Sequence, residues 1–174
     1  MSKLTWNDIN WTLVQDRISR QQRRVYKASM EGNKAKVHAI QRRIIASLDA
    51  KLLAVRKVTT ETKSSHENKM KLAYKLKLDG KSRSIRKPGK SEIPTIEDRA
   101  NQMLAKLALE AEWEGIFEPN SYGFRPGTSC HDAIGTLFLS LRGKSRYVLV
   151  AEILKCFDRI DHEKLLLKLS TFDT

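Results

Sequence analysis

Thr12-Leu13-Val14-Gln15-Asp16-Arg17-Ile18-Ser19-Arg20-Gln21-Gln22-Arg23-Arg24-Val25-Tyr26-Lys27-Ala28-Ser29-Met30 sets the first architectural constraint. Val14, Ile18 and Val25 fall at i, i+4 and i+11, one face of a 3.6-residue period, so the stretch predicts a helix. Arg17, Arg20, Arg23, Arg24 and Lys27 occupy much of the remaining surface. Gly32-Asn33 interrupts the pattern and reads as a turn. From Lys34 to Val58 the period resumes, with Val37, Ile40, Ile44, Leu48, Leu52 and Val55 at steps of three or four. This predicts a second long helix, decorated by Arg42, Arg43, Lys51, Arg56 and Lys57. Two helices joined by a short glycine turn form a helical hairpin with basic outer faces.

The charge is concentrated in that half. The 174 residues carry 33 Lys and Arg against 20 Asp and Glu, a net charge of +13. Residues 1–90 hold 23 basic and 7 acidic side chains, whereas residues 91–174 hold 10 and 13. A strongly basic half beside a nearly neutral one points to a polyanionic partner, nucleic acid before an anionic membrane surface. Amphipathic membrane anchors carry a Trp/Phe/Leu face, and only Trp6 and Trp11 precede Tyr26 as large aromatics. A merely solvated charged face is the plainer alternative, but the hairpin has few acidic residues for the i,i+4 pairs such helices use. Scarce aromatics also weigh against a single-strand stacking platform.

No run approaches the roughly 20 apolar residues of a membrane span. The start has no apolar stretch for a signal peptide, and Asp8 argues against a transit peptide. The expectation is a cytoplasmic protein of a bacterial cell or organelle interior, not secreted. Cys130 and Cys156 form no CxxC pair and read as buried thiols. His131 and His162 read as capping or core residues, and Ser129, His131 and Asp132 are too close in sequence to imply a hydrolase triad.

Further along, Thr59 to Lys69 is polar and aperiodic and predicts a linker, followed by a short helix over Met70 to Leu78. Lys81 to Lys90, with Arg83, Arg86, Lys87 and Pro88-Gly89, predicts a basic strand and turn or an exposed loop. Thr95 is the expected N-cap of a helix carrying Glu97 and Asp98 in its first turn, where they favour the helix dipole. A turn-rich loop spans Glu118 to Gly127, a helix Ser129 to Leu141, a β-type run Arg146 to Ile153, and a last helix Glu163 to Leu169. The fold class expected is α+β and predominantly helical. The domain plan is a basic helical extension over 1–60, a linker and hairpin over 61–90, and a third part over 91–174.

Three stretches in order carry a resemblance: Ile93-Pro94-Thr95-Ile96-Glu97-Asp98-Arg99-Ala100, Phe117 to Gly127, and Phe157-Asp158-Arg159-Ile160-Asp161-His162. With Trp11, the Arg-rich helix and Ala50 to Thr59, they resemble the fingers and early palm of group II intron-encoded reverse transcriptases, the maturases. The resemblance implies an RNA-binding N-terminal extension, part of a right-hand polymerase, structured intron RNA as partner, and Mg2+ as the family's cofactor. It places Arg99, Asn120, Tyr122 and Arg125 near template and incoming nucleotide, and Phe157 near the nucleotide sugar. Arg125 is equally readable as a structural ion-pair partner, Phe157 as core, and Asp158 as a helix cap.

The same resemblance predicts impaired chemistry. The family's polymerases hold two metals about 3.5–4 Å apart between palm carboxylates. Val148-Leu149-Val150-Ala151-Glu152-Ile153 carries Glu152 where the family has its first metal-binding Asp. One extra methylene displaces the carboxylate by on the order of 1.5 Å, and misplacement by about 1 Å can cost a hundredfold. No Asp-Asp pair occurs in these 174 residues, so no metal site is secure. The fingers hairpin reads as shortened, since only Arg86 to Glu92 stand where the family has a longer basic segment. The expectation is a truncated, degenerate member that binds intron RNA through residues 17–57 and 81–90 and lacks polymerase activity alone. The alternatives are one half of a split polymerase, completed by a second chain supplying palm and thumb, and a decayed gene product.

Overall fold

The computed structural model describes residues 5–60, 64–78, 94–143, 145–156 and 159–169. Seven α-helices form among them: α1 (Trp11–Met30), α2 (Lys34–Ala46), α3 (Leu48–Val58), α4 (His66–Lys75), α5 (Ile96–Glu114), α6 (Cys130–Leu141) and α7 (His162–Leu169). The chain divides into two compact units, the first ending at Ile116 and the second starting at Phe117.

In the first unit, α1 begins where Asn10 Oδ1 accepts the Leu13 N–H at 3.1 Å, supplying a partner for one of the orphan donors of a helix start. Val14, Ile18, Val25 and Ala28 are its buried stripe. The helix closes with Gly32 at φ +68°, a left-handed position that suits a residue without Cβ. The Asn33 N–H then reaches Ala28 O and the Gly32 N–H reaches Ser29 O, both at 2.9 Å, the pairing of a Schellman stop. Asn33 in turn caps α2 through Lys36 N.

The long helix expected over Lys34 to Val58 is two helices. The chain breaks at Ser47, whose backbone is extended. The Ser47 hydroxyl donates to Ile44 O at 3.0 Å and accepts from Ala50 N at 3.1 Å. One side chain therefore finishes α2 and starts α3, and Asp49 sits in the new first turn, where the dipole favours it. The break turns α3 into the unit's central element. Ala50, Leu52, Leu53, Ala54, Val55 and Val58 are all buried, on more than one face, because α1, α2, α4 and α5 pack around it. The basic outer surface of the hairpin therefore belongs mainly to α1 and α2.

The expected linker also ends early. Ser65 accepts from Asn68 N and starts α4 at His66, which docks through Met70 and Ala73. Lys75 Nζ meets Glu97 Oε2 at 2.9 Å, joining the end of α4 to the start of α5. There Thr95 is the cap the sequence suggests: its Oγ1 accepts from Asp98 N at 3.1 Å, and Asp98 Oδ2 accepts from Thr95 N at 3.1 Å, a reciprocal capping box. Ala100, Leu104, Leu107 and Ala108 bury the inner side of α5. Two polar contacts fix α5 against α1, with Gln22 Nε2 donating to Leu107 O and Ser29 Oγ to Glu112 O, each at 2.9 Å. From α2, the fully buried Gln41 donates its Nε2 to Glu112 Oε2 at 2.6 Å.

The second unit has no buried residue among those described. Its α6 starts with another capping box, Ser129 and Asp132, and the Ser129 hydroxyl, followed by its backbone N–H, holds the Asp132 carboxyl below the usual carboxylate value. Asp161 Oδ1 caps α7 through Lys164 N. The α+β expectation is not met among the described residues, which form helices and no strand. Val148, Leu149, Val150 and Ile153 are exposed, and an apolar run becomes a strand only when a neighbour completes its hydrogen-bond ladder. Cys130 and Cys156, expected to be buried, are exposed, as is His131, because this unit encloses no core of its own.

Candidate nucleic-acid interface

On α1, Arg17, Arg20 and Arg24 follow one another at steps of three and four, so they share an edge of the helix. The α1–α2 packing brings Arg43 to the opposite wall. These four arginines, with Gln21, Ile44, Ser47 and Asp49, line a groove of about 510 Å³. Asp49 is the one carboxylate lining it, and it meets Arg17 Nη1 at 3.5 Å. Arg20 Nε donates to Asp16 O at 3.3 Å and Arg24 Nη1 to Gln21 Oε1 at 3.4 Å. Both contacts go to neutral oxygens, so neither cancels the guanidinium charge. All four arginines are exposed. The arrangement is a concave, multiply cationic surface with planar donors, the chemistry that grips successive phosphates.

The other expected RNA-binding residues are placed differently. Arg23, Lys27 and Arg42 are exposed, and Lys51 is half-buried; none lines this groove. Arg56 and Lys57 line a second groove, between α1, α3 and α5. Arg56 lies over the Trp11 ring, its guanidinium carbon 4.5 Å from the centroid. Arg83, Arg86 and Lys87, with the shortened hairpin, lie outside the described residues, as does Phe157. Arg99 is exposed on α5 and lines neither groove. Reasoning from sequence missed Ser47 and Asp49 as groove residues. The signal is Ser47-Leu48-Asp49, a capping serine followed by an acid, inside an unbroken apolar period.

In the second unit, Asn120 is exposed in a turn and Tyr122 is half-buried. The Tyr122 hydroxyl and Thr136 Oγ1 of α6 are 2.7 Å apart, and Thr128 Oγ1 donates to Tyr122 O at 2.7 Å. Arg125 Nη1 donates to Glu118 O at 2.8 Å and Ser121 O at 2.7 Å, and the guanidinium lies 5.7 Å from the Phe117 ring centroid. Arg125 Nη1 thus shapes its own loop, while Phe124 takes a left-handed backbone at φ +60° with its ring in solvent. Such a conformation is costly for a bulky residue, and Phe124 lies within the stretch closed by the Arg125 and Thr128 bonds.

The sequence profile of the N-terminal domain of reverse transcriptases matches residues 6–83, and that of reverse transcriptase (RNA-dependent DNA polymerase) matches residues 85–174. The chain belongs to the reverse transcriptase family. It is 40% identical over 74 residues to the group II intron-encoded protein LtrA of Lactococcus lactis subsp. cremoris, covering 42% of this chain and 12% of that protein. It is 39% identical over 79 residues to an uncharacterized 91 kDa protein in the cob intron of Schizosaccharomyces pombe, covering 45% and 10%. Maturase-like protein 1 of Euglena gracilis is 28% identical over 85% of this chain and 38% of its own length. The chain therefore spans well under half the length of these relatives. The four-arginine groove falls within the N-terminal reverse transcriptase domain, and the Arg125 loop within the polymerase domain.

Reverse transcriptases work with Mg2+, which carboxylate oxygens hold. Glu152 is exposed, and no cluster of three or more His, Cys, Asp or Glu forms among the described residues. A two-metal site needs several converging oxygens, and the described residues do not supply that donor set. Among them, no helix is long and apolar enough to cross a membrane.

Proposed function

We infer that this reverse transcriptase-family chain binds structured RNA, intron RNA in the first instance, through the basic surface of α1 and α2. The observation that carries the reading is the groove where Arg17, Arg20, Arg24 and Arg43 face each other around the lone carboxylate Asp49. The names of its relatives, a group II intron-encoded protein and a maturase-like protein, support intron RNA as the partner. Arg23, Lys27, Arg42 and Lys51 extend the positive field around the groove and raise the encounter rate. Phosphate contacts of this kind fix register but do not read bases. Asn120 and Tyr122, on the loop shaped by Arg125, contribute a second nucleic-acid contact.

Two measurements test this. Binding to a folded intron RNA should weaken linearly in log K against log salt with a slope of at least about −3, since each neutralised phosphate adds roughly −0.7 to −0.9. A slope near zero contradicts the reading. Primer extension by the same 174-residue polypeptide in Mg2+ should yield no product, because Glu152 stands where the family has Asp and these residues contain no Asp-Asp pair. DNA synthesis by the purified polypeptide would overturn the non-catalytic part of the reading.

A further inference from the structure

The second groove of the first unit differs chemically from the four-arginine one. Its floor is Ile18 of α1, Leu53 of α3 and Leu107 of α5, each less than a tenth exposed. Polar groups rise around that floor: Gln15, Ser19 and Gln22 on one side and Thr60 on the other. Gln22 is held in place by the bond from its Nε2 to Leu107 O, which leaves its second N–H and its Oε1 for an occupant's polar edge. Arg56 and Lys57 stand at the rim. The Trp11 face holds Arg56, and Trp11 itself packs on Trp6 with ring centroids 4.8 Å apart. A ring orients the guanidinium without neutralising it, so the cation is both placed and available.

The volume, about 290 Å³, lies at the small end of the roughly 300–1,000 Å³ typical of small-molecule sites. That suits one planar ring system rather than a helix or an acyl chain. An apolar floor meets the face of such a ring, the amide and hydroxyl rim meets its edges, and the two cations meet an attached phosphate. Ile18 lies at the back of both grooves, which flank α1 on either side of its buried stripe, so one RNA reaches both by crossing the exposed Arg23 and Lys27 face of the helix. We propose that the second groove seats one unpaired nucleobase of the RNA whose backbone lies in the four-arginine groove, with Arg56 and Lys57 on that nucleotide's phosphate. This rests on the RNA-binding reading and adds to it a preference for a flipped-out base, which Trp11 serves as a positioning residue.

The test compares the full chain's affinity for a short RNA duplex bearing one bulged 2-aminopurine with its affinity for the same duplex fully paired. Burying a base against the aliphatic floor and pairing its phosphate with the rim cations should make the bulged RNA bind about fivefold or more tightly, with a change in 2-aminopurine emission. Ser19→Trp fills the groove from its half-buried rim and should abolish the preference while leaving paired-duplex binding within about twofold, an effect confined to the inserted base. Gln15→Trp, on an exposed position, is the second filler should Ser19→Trp fail to unfold cooperatively. Arg42→Gln should weaken both RNAs equally. Equal affinity of the unmodified chain for bulged and paired RNA overturns the inference while leaving RNA binding intact, and binding to neither overturns both. Adenosine monophosphate binding as tightly as the bulged duplex would assign the groove to a free nucleotide and overturn it as well.

Discussion

Replacing Arg17, Arg20, Arg24 and Arg43 together by glutamine is expected to lower RNA affinity by about three orders of magnitude at low salt, taking each exposed phosphate contact at ~1 kcal/mol. The same variant should lose about three from the slope of log K against log salt, because four fewer phosphates are neutralised. Arg17 should be the weakest single contributor, since Asp49 already holds part of its charge at 3.5 Å. Folding should be nearly untouched: all four side chains are exposed, and exposed substitutions usually change stability by no more than ~0.5 kcal/mol each. The matching lysine variant separates charge from geometry. It keeps the slope, because the charges remain, but loses affinity wherever a guanidinium fork grips a phosphate with two bonds. Filter binding across a salt series reads both quantities. If the glutamine variant keeps the parent slope, the groove is not where the phosphates sit.

The contrast between α1 and α3 shows what a single sequence exposes. Helix α1 was legible because Val14, Ile18 and Val25 sit on one face and the cations on the others, so period and burial agree. The same period ran unbroken from Val37 to Val55 and concealed the Ser47 break, because apolar spacing carries no information about one extended residue between two helices. The start of α4 was hidden for the opposite reason: His66-Glu67-Asn68-Lys69 is polar, and only Met70 and Ala73 bury, too sparse for a period. At Thr95 the cap was readable from the acids Glu97 and Asp98 that follow it, whereas Ser129, read as the first residue of its helix, is its cap. The interface was legible as charge but not as shape. Arg17, Arg20 and Arg24 share an edge by helical arithmetic, yet their meeting with Arg43 depends on how α2 packs. The Trp11–Arg56 contact joins residues far apart in sequence and left no local trace. The apolar run over Val148 to Ile153 misled in the other direction, since composition alone does not pair a strand.

Gln41→Glu is expected to be the most destabilising near-isosteric change in the first unit, and to show it through pH. Gln41 is fully buried, its Nε2 lies 2.6 Å from Glu112 Oε2, and its Oε1 has no hydrogen-bond partner. The substitution keeps the shape and replaces the donor with a carboxyl facing a carboxylate. Desolvation and the like charge both raise the pKa of the group introduced at position 41 above its unfolded value of about 4.3. The folded variant therefore retains a proton over a range where the unfolded chain has released it. By linkage, stability falls as pH rises from about 4.3 and stops falling once the folded-state pKa is passed. While protonated, the new O–H can donate to Glu112 as the amide did, so the variant should approach parent stability near pH 4. At pH 7 the loss should approach, and not exceed, about 3.7 kcal/mol, ~1.36 kcal/mol for each pH unit above about 4.3. Gln41→Leu is the control: it removes both the donor and the orphan oxygen, and its deficit relative to the parent should not grow from pH 5 to pH 8. Urea midpoints across pH distinguish the three, and parallel profiles for parent and Gln41→Glu would refute the argument. The consequence extends to RNA. Glu112 receives Gln41 from α2 through its side chain and Ser29 from α1 through its backbone oxygen, so it sets the spacing of the two helices that carry the four arginines. RNA affinity of Gln41→Glu should therefore decline over the same pH interval as its stability, with every groove arginine still in place.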